Sequence, residues 1–452
     1  MGDAAGAAAD LPDGITPLLV PREGVPAVVD TAEALADVVA RFAAGTGPVA
    51  VDAERASGYR YSQRAYLVQL RRRGAGTALI DPVACPDLSE LSGALQDAEW
   101  VLHAAGQDLP CLAEVGMVPP RLFDTELGGR LAGLERVGLG AMVENLLGLR
   151  LEKGHSAADW STRPLPDAWL VYAALDVEVL LELRDAVEGE LDRQGKLGWA
   201  RQEFDAVRLA PAAPPRAEPW RRTSGVHRLR NRRQLAGVRA LWEVRDAIAR
   251  RRDLAPGRVL PDAAIVNAVS TAPRTAADLL ALPVFGGRAT RRHVDTWLSA
   301  LRSAAALPES ELPQSLPAGA SPPPPHRWAE RDPEAARRLT RLRAVVTGIA
   351  ERLQMPPENL VPPDAVRRLA WAPPADDADA AAVADALRDS GARTWQVEHL
   401  AASLAAALPD PAPTADAPPP AEQAPTPDAA SGQSTAGAHD PASGTGTADR
   451  PA

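Results

Sequence analysis

Proline decides which parts of this chain can build a core. Of 452 residues, 44 are proline, about twice the usual ~5% share, and they cluster. A proline fixes φ and removes a backbone donor, so a cluster interrupts helix and sheet alike. Residues 211–219 (PAAPPRAEP) form one break, and residues 306–327, with seven prolines, form a second. From 409 to 452, ten prolines, six acidic residues and one arginine accompany no Leu, Ile, Val, Met or aromatic residue. Such a segment buries too little apolar surface to offset its ordering entropy. The expected organisation is a disordered start (1–13), a folded block (14–205), a linker (206–219), a second block (220–305), a linker (306–327), a third block (328–408) and a disordered acidic tail (409–452).

Composition narrows the class. Apolar residues make up 46% of the chain, enough for real cores, and only two cysteines occur, Cys85 and Cys111. That excludes a disulfide-stapled scaffold and a cysteine-rich zinc module, and leaves two buried thiols. Met1 to Asp10 carry neither a basic n-region nor an apolar stretch, and no run approaches the ~18 apolar residues of a membrane span. We expect a soluble, cytoplasmic protein with no membrane contact, acting as a monomer.

The first block alternates strand and helix signals. Val49 to Glu54 follows a Gly-Thr-Gly-Pro turn and reads as a strand. Tyr66–Leu70 and Thr77–Ile80 read as a hairpin continuing it. A capping box, Asp30-Thr-Ala-Glu33, opens a helix running to about Ala43. A helix is expected at about 87–97, a strand from Trp100 to His103, and a helix from about 107. Gly140 to Leu191 reads as helical, broken by a polar loop from Lys153 to Pro166. This order predicts a mixed-sheet α/β domain. The second and third blocks read as helix only and resemble each other. Leu241 to Asp262 matches Leu342 to Asp364 at an offset of about 101 residues. The shared skeleton is an amphipathic helix, a proline-containing turn and a Pro-Asp helix start.

The informative constellation is acidic. Asp52 and Glu54 lie two apart on a predicted strand, so both project from one face of the sheet. Two carboxylates there repel unless a divalent cation neutralises them, and hard oxygen ligands suit Mg²⁺ or Mn²⁺. Asp108 opens a helix after the Trp100–His103 strand, and Tyr172 and Asp176 stand at i and i+4 on another. Together these can surround two metal ions able to stabilise a phosphodiester displacement, with the tyrosine orienting or helping to deprotonate the attacking water. Taken singly, each has a commonplace reading as a solvated edge, a helix cap or a surface pair.

The order and spacing resemble the exonuclease superfamily with four essential acidic residues, in its tyrosine-bearing branch, and within it the ribonuclease D family. Val49–Glu54 with Tyr66–Leu70, Val101–Leu109, Asp124–Leu127, Asp159–Leu165 and Tyr172–Asp176 carry the likeness, over about residues 25–205. The histidine branch would place His where this chain has Val171. The resemblance implies an α/β ribonuclease H-like mixed-sheet exonuclease domain. It implies Asp52, Glu54, Asp108 and Asp176 as ligands of two divalent ions, and Tyr172 as the group positioning water. Ala53 stands where the family usually has Thr, on the opposite face, with no loss of activity expected. Arg55 replaces a usual aromatic and is expected to alter packing at the substrate end but not metal binding. The second block resembles the HRDC domain through Leu241-Trp242, Arg245-Asp246, Ala249, Pro256 and Leu260-Pro-Asp262. The third then reads as a second, diverged HRDC-like domain.

The total charge of −10 hides unlike blocks. Trp220 to Ala304 holds 17 arginines against 6 acidic residues, a net +11 that leaves −21 for the rest. Arg221, Arg222, Arg228, Arg230, Arg232, Arg233 and Arg250, Arg251, Arg252 are the candidate phosphate contacts, with Lys153 and Arg163 flanking the loop before Tyr172. His103 reads as a core or supporting group, His155 as a loop residue near substrate, and Trp160 as a loop anchor or base-stacking ring. The expected function is 3′→5′ trimming of RNA with a free 3′ end, releasing 5′-mononucleotides. By family resemblance the substrates are tRNA precursors or other small structured RNAs. The alternatives are a DNA 3′→5′ exonuclease, although no polymerase-sized domain and no P-loop is present, or an inactive nucleic-acid tether.

Overall fold

The computed structural model describes residues 14–152, 154–155, 157–212, 214–229, 231–314, 322–374 and 378–409. The expected N-terminal disorder, the tail beyond 409, Lys153 and Arg230 lie outside the described residues. The first block carries the strands β1 (Thr16–Leu18), β2 (Val28–Val29), β3 (Thr46–Arg55), β4 (Ala65–Arg73), β5 (Gly76–Ile80), β6 (Glu99–Leu102), β7 (Arg121–Asp124) and β8 (Leu149–Leu151). Six form one mixed sheet in the order β2-β5-β4-β3-β6-β7, and β1 pairs with β8 apart from it. β3, β4 and β5 run antiparallel as the hairpin reading requires, while β6 lies parallel to β3 and β7 parallel to β6. Val49, Ala50 and Val51 of β3 are fully buried, as in a strand covered on both faces.

The expected helices are present with small shifts. The first spans Ala32–Ala44, but Thr31 rather than Asp30 is its N-cap, its hydroxyl accepting from Ala34 N at 3.2 Å. That moves Glu33 off the third helical position, so the predicted box does not form. The helix at 87–97 shortens to Ser89–Ala94, and the one near 107 starts at Leu109 after a 3₁₀ turn, Ala105–Gln107. Helices Leu139–Leu147, Asp167–Glu178 and Leu180–Arg193 follow.

The second and third blocks are helical. After short helical turns, each runs into a long helix (Arg232–Arg252 and Pro333–Arg352), continues through a four-residue helical turn (Pro256–Val259 and Pro357–Leu360), and starts its next helix at Asp262 or Pro363. Their cores differ in kind. The second block has its own, built around Trp220, Leu241, Leu260, Ile265 and Trp297. The third shares one continuous apolar core with the sheet domain. There Trp395 stacks on Trp199 of helix Leu197–Arg208, with centroids 5.0 Å apart and planes within 8°. Trp395 Nε1 donates to Glu203 at 2.9 Å, and Lys196 Nζ bridges the carbonyls of Leu131 and Gln354. Gly133, at φ +79°, passes so close to this block that a Cβ would lie 2.2 Å from Gln354 O. The second block instead grips the loop after β3: Asp253 accepts from the amides of Tyr61 and Ser62, and Tyr61 Oη bonds Asp246 at 2.9 Å.

Candidate active site

The alternation of β3 places Asp52 and Glu54 on one face with Ala53 between them on the other. Gln69 sits opposite Asp52 in β4 and donates to its carboxylate at 3.2 Å. Pro166 precedes helix Asp167–Glu178, which carries Asp176 to the same face. Ligand oxygens of Asp52, Glu54 and Asp176 all lie within 4.8 Å of one another. Tyr172, one helical turn earlier on the same helix, lines the same cavity as Asp176.

Asp108 completes the acidic set by a different route. It sits at the start of helix Leu109–Glu114, yet its side chain makes no capping bond. Its carboxylate pairs with the Arg55 guanidinium at 3.2 Å. The sequence reading confined Arg55 to substrate-end packing; the structure sets it against a candidate metal ligand. True capping falls to Asp124 at the end of β7. It accepts from Glu126 N and Leu127 N of its own helix, and from Ala104 N (3.0 Å) and Ala105 N (2.9 Å) of the turn leading to Asp108. Ala104 lies in the left-handed region, φ +61°, a conformation these bonds hold in place. Next to it, Thr125 donates to Leu102 O, so its oxygen accepts from His103 Nδ1 at 2.9 Å.

These groups line a cavity of about 1380 Å³, larger than the ~300–1,000 Å³ typical of small-molecule sites. Burial dominates its electrostatics. It pushes the Asp52 carboxyl up to about 6. Burial and the neighbouring carboxylates push Glu54 to about 10 and Asp108 to about 8, and raise Asp176 well above the usual range. Burial and the same acids raise the Tyr172 hydroxyl, which therefore stays protonated and serves as a hydrogen-bond partner. His103, pushed down to about 4 by burial, is neutral. Three carboxylates, Glu54 buried and Asp52 and Asp176 half-buried, have no cation of the chain paired to them among the described residues and form a hard-oxygen donor set that fits Mg²⁺ or Mn²⁺.

The remaining sequence candidates divide. Arg163 is tied to Asp81 at 2.7 Å and to the carbonyls of Trp160 and Tyr66. Arg232 and Arg233 hold the carbonyls of Leu312, Pro313, Ala305 and Leu307. These three, expected on phosphate, act as internal struts because a guanidinium satisfies chain-end carbonyls well. Arg221 pairs with Glu218, and Arg250 with Asp246 and Tyr61. Arg222, Arg228, Arg251 and Arg252 are exposed. Trp160 is fully buried, 5.3 Å from Trp169, and His155 meets the edge of Tyr172 at 6.1 Å. Cys85 and Cys111 are free, buried thiols. Sequence reasoning missed the roles of Gln69, Asp124 and Arg55, and the exposed Arg136 on the cavity rim. The N-cap pattern Asp124-Thr125 was the one available signal among these.

Comparison with known proteins bears on this geometry. Residues 26–192 match the family model described as 3′-5′ exonuclease, 234–301 the HRDC domain, and 321–408 the 3′ to 5′ exonuclease C-terminal domain. A ribonuclease D from Acidiphilium cryptum is 36% identical over 312 residues, covering 66% of this chain and 77% of that protein. A crystal structure of a Bifidobacterium adolescentis protein is similar at TM-score 0.80 and 41% identity, over 87% of this chain and 99% of the other. The structure of Escherichia coli RNase D, an exoribonuclease involved in structured RNA processing, is similar at TM-score 0.59 and 28% identity, over 76% and 90%.

Proposed function

The chain belongs to the ribonuclease D family and is a 3′→5′ exoribonuclease, and we propose that it releases 5′-mononucleotides from small structured RNAs, tRNA precursors among them, through a two-ion site. The observation that carries this reading is the convergence of Asp52, Glu54 and Asp176 within 4.8 Å, with Tyr172 lining the same cavity one helical turn before Asp176. Asp52, Glu54 and Asp176 would hold one divalent ion, and Asp52 with Asp108 a second. Bound there, the ions would activate a water and stabilise the charge on the attacking and leaving oxygens. The chain's own groups then do the positioning. Gln69 fixes Asp52, Asp124 fixes the turn carrying Asp108, and the protonated Tyr172 hydroxyl orients the water against Asp176. Neutral His103 lines the cavity without adding charge.

Arg136 on the cavity rim, with Arg222, Arg228, Arg251 and Arg252 on the HRDC block, are the proposed phosphate contacts. We read residues 328–408 as a diverged HRDC-like fold that has become part of the nuclease body. No helix among the described residues is long and apolar enough to cross a membrane, and we place the protein in the cytoplasm as a monomer. The test is mononucleotide release from 3′-labelled RNA and DNA of one sequence, with Mg²⁺ or with EDTA. RNA trimming that needs Mg²⁺ and disappears in Asp108→Ala is expected. Preferential DNA degradation would move the protein to the DNA-exonuclease reading, and no release from either would make it a tether.

A further inference from the structure

Arg55 is the only basic side chain, among the described residues, that forms an ion pair with one of the four acids of the site. Regular alternation along β3 would send it to the face of Ala53, away from the carboxylates. The β3–β4 register slips by one residue between Glu54 and Arg55, leaving Tyr66 of β4 as the extra residue. Such bulges re-aim side chains next to active sites. Arg55, at this slip and at the end of β3, reaches Asp108 and lines the same cavity, with a quarter of its side chain still exposed. The site is therefore divided. Asp52, Glu54 and Asp176 lack a protein cation, whereas Asp108 already has one.

We propose that Arg55 couples the second ion to RNA, holding Asp108 while the site is free and exchanging it for a backbone phosphate when substrate enters. The inference rests on the two-ion reading above. Asp108 cannot serve the guanidinium and a divalent ion equally well, so each weakens the other's hold. A phosphate oxygen pair offers Arg55 the same planar, charge-assisted geometry as a carboxylate. RNA that takes up Arg55 frees Asp108 for the ion, and by linkage the ion favours RNA to the same degree. An aromatic residue at this position would provide no such exchange.

Binding measurements separate this from simple packing. Mn²⁺ is titrated into metal-free enzyme, Arg55→Gln and Arg55→Lys, with and without an RNA whose terminal linkage carries a methylene in place of the bridging 3′ oxygen. In the wild type, RNA should tighten the second ion by about tenfold, within the ~5–150-fold range of typical couplings. In Arg55→Gln the second ion should bind about tenfold tighter without RNA, and the tightening by RNA should shrink by about the same factor, what remains coming from phosphate oxygens at the ion itself. The first ion should be unchanged, and Arg55→Lys, which keeps the charge without the fork, should fall between. Equal second-ion affinities in wild type and Arg55→Gln, or RNA coupling undiminished in Arg55→Gln, would overturn the proposal. A wild type that takes up one ion at saturation, RNA included, would overturn the two-ion reading itself.

Discussion

Four crowded acids, Glu54 and Asp108 buried and Asp52 and Asp176 half-buried, oppose folding when no cation is bound, and the sign of that opposition is measurable. Asp52, Glu54, Asp108 and Asp176 hold protons more tightly in the folded chain than the ~4 of an unfolded carboxyl. Between that value and the folded values, about 6 for Asp52 and about 8 for Asp108, the native state binds more protons. Stability must therefore fall as pH rises through this window. In EDTA, the melting temperature should drop from pH 5 to pH 8, and Mg²⁺ should restore it. Asp176→Asn should flatten that drop; thermal scans in which wild type and variant fall equally would refute the assignment. Tyr172 tests orientation in the same site. Tyr172→Phe keeps the ring and removes the hydroxyl, so turnover should fall by about a hundredfold while RNA affinity stays within about twofold. Single-turnover rates and filter binding check the two halves separately. That Asp52 shares a face with Glu54, and Tyr172 with Asp176, was legible because strand and helix periods fix which residues share a face. The partnership of Arg55 with Asp108 was not, since it joins the end of β3 to a helix start far along the chain.

At the level of elements, the end of β6 is held by its neighbour rather than by itself. Asp124 caps helix Thr125–Leu131 and also ties down Ala104 and Ala105. Removing the carboxylate leaves four amides without their acceptor and relaxes a left-handed alanine. Asp124→Ala should cost about 2–3 kcal/mol in urea unfolding and should lower turnover more than RNA binding, because Asp108 loses its position. Intact turnover in a destabilised variant would reduce Asp124 to a cap. The long β3–β4–β5 meander and the main helices could be read from the chain, since alternation and turn residues are local signals. β1, β2, β7 and β8, none longer than four residues, carry too few positions to show a period and exist only through pairing.

Across the molecule, the two helical blocks stand in different relations to the nuclease. The HRDC block closes its own core and reaches the nuclease mainly through the loop after β3. The third block completes the nuclease core, with Trp395 stacked on Trp199 and bonded to Glu203. Trp395→Ala should cost about 3–5 kcal/mol and lower the melting of the sheet domain together with the third block. A variant whose nuclease domain melts as before, with only a small separate transition displaced, would show that the shared core is not cooperative.

The chain alone determined what local chemistry can determine. Proline clusters set the breaks, periodicity set the principal elements, and the likeness of several short motifs to a known family singled out the acids and the tyrosine as candidates, because each motif depends on residues close in sequence. Tertiary structure decided the rest. It chose which arginines face solvent and which serve as struts, because a guanidinium goes to whichever carbonyl or carboxylate the fold brings near. It merged the third block with the nuclease core, since packing between surfaces about 200 residues apart leaves no local mark. It also brought Arg55 onto Asp108, at the point where the β3–β4 register slips.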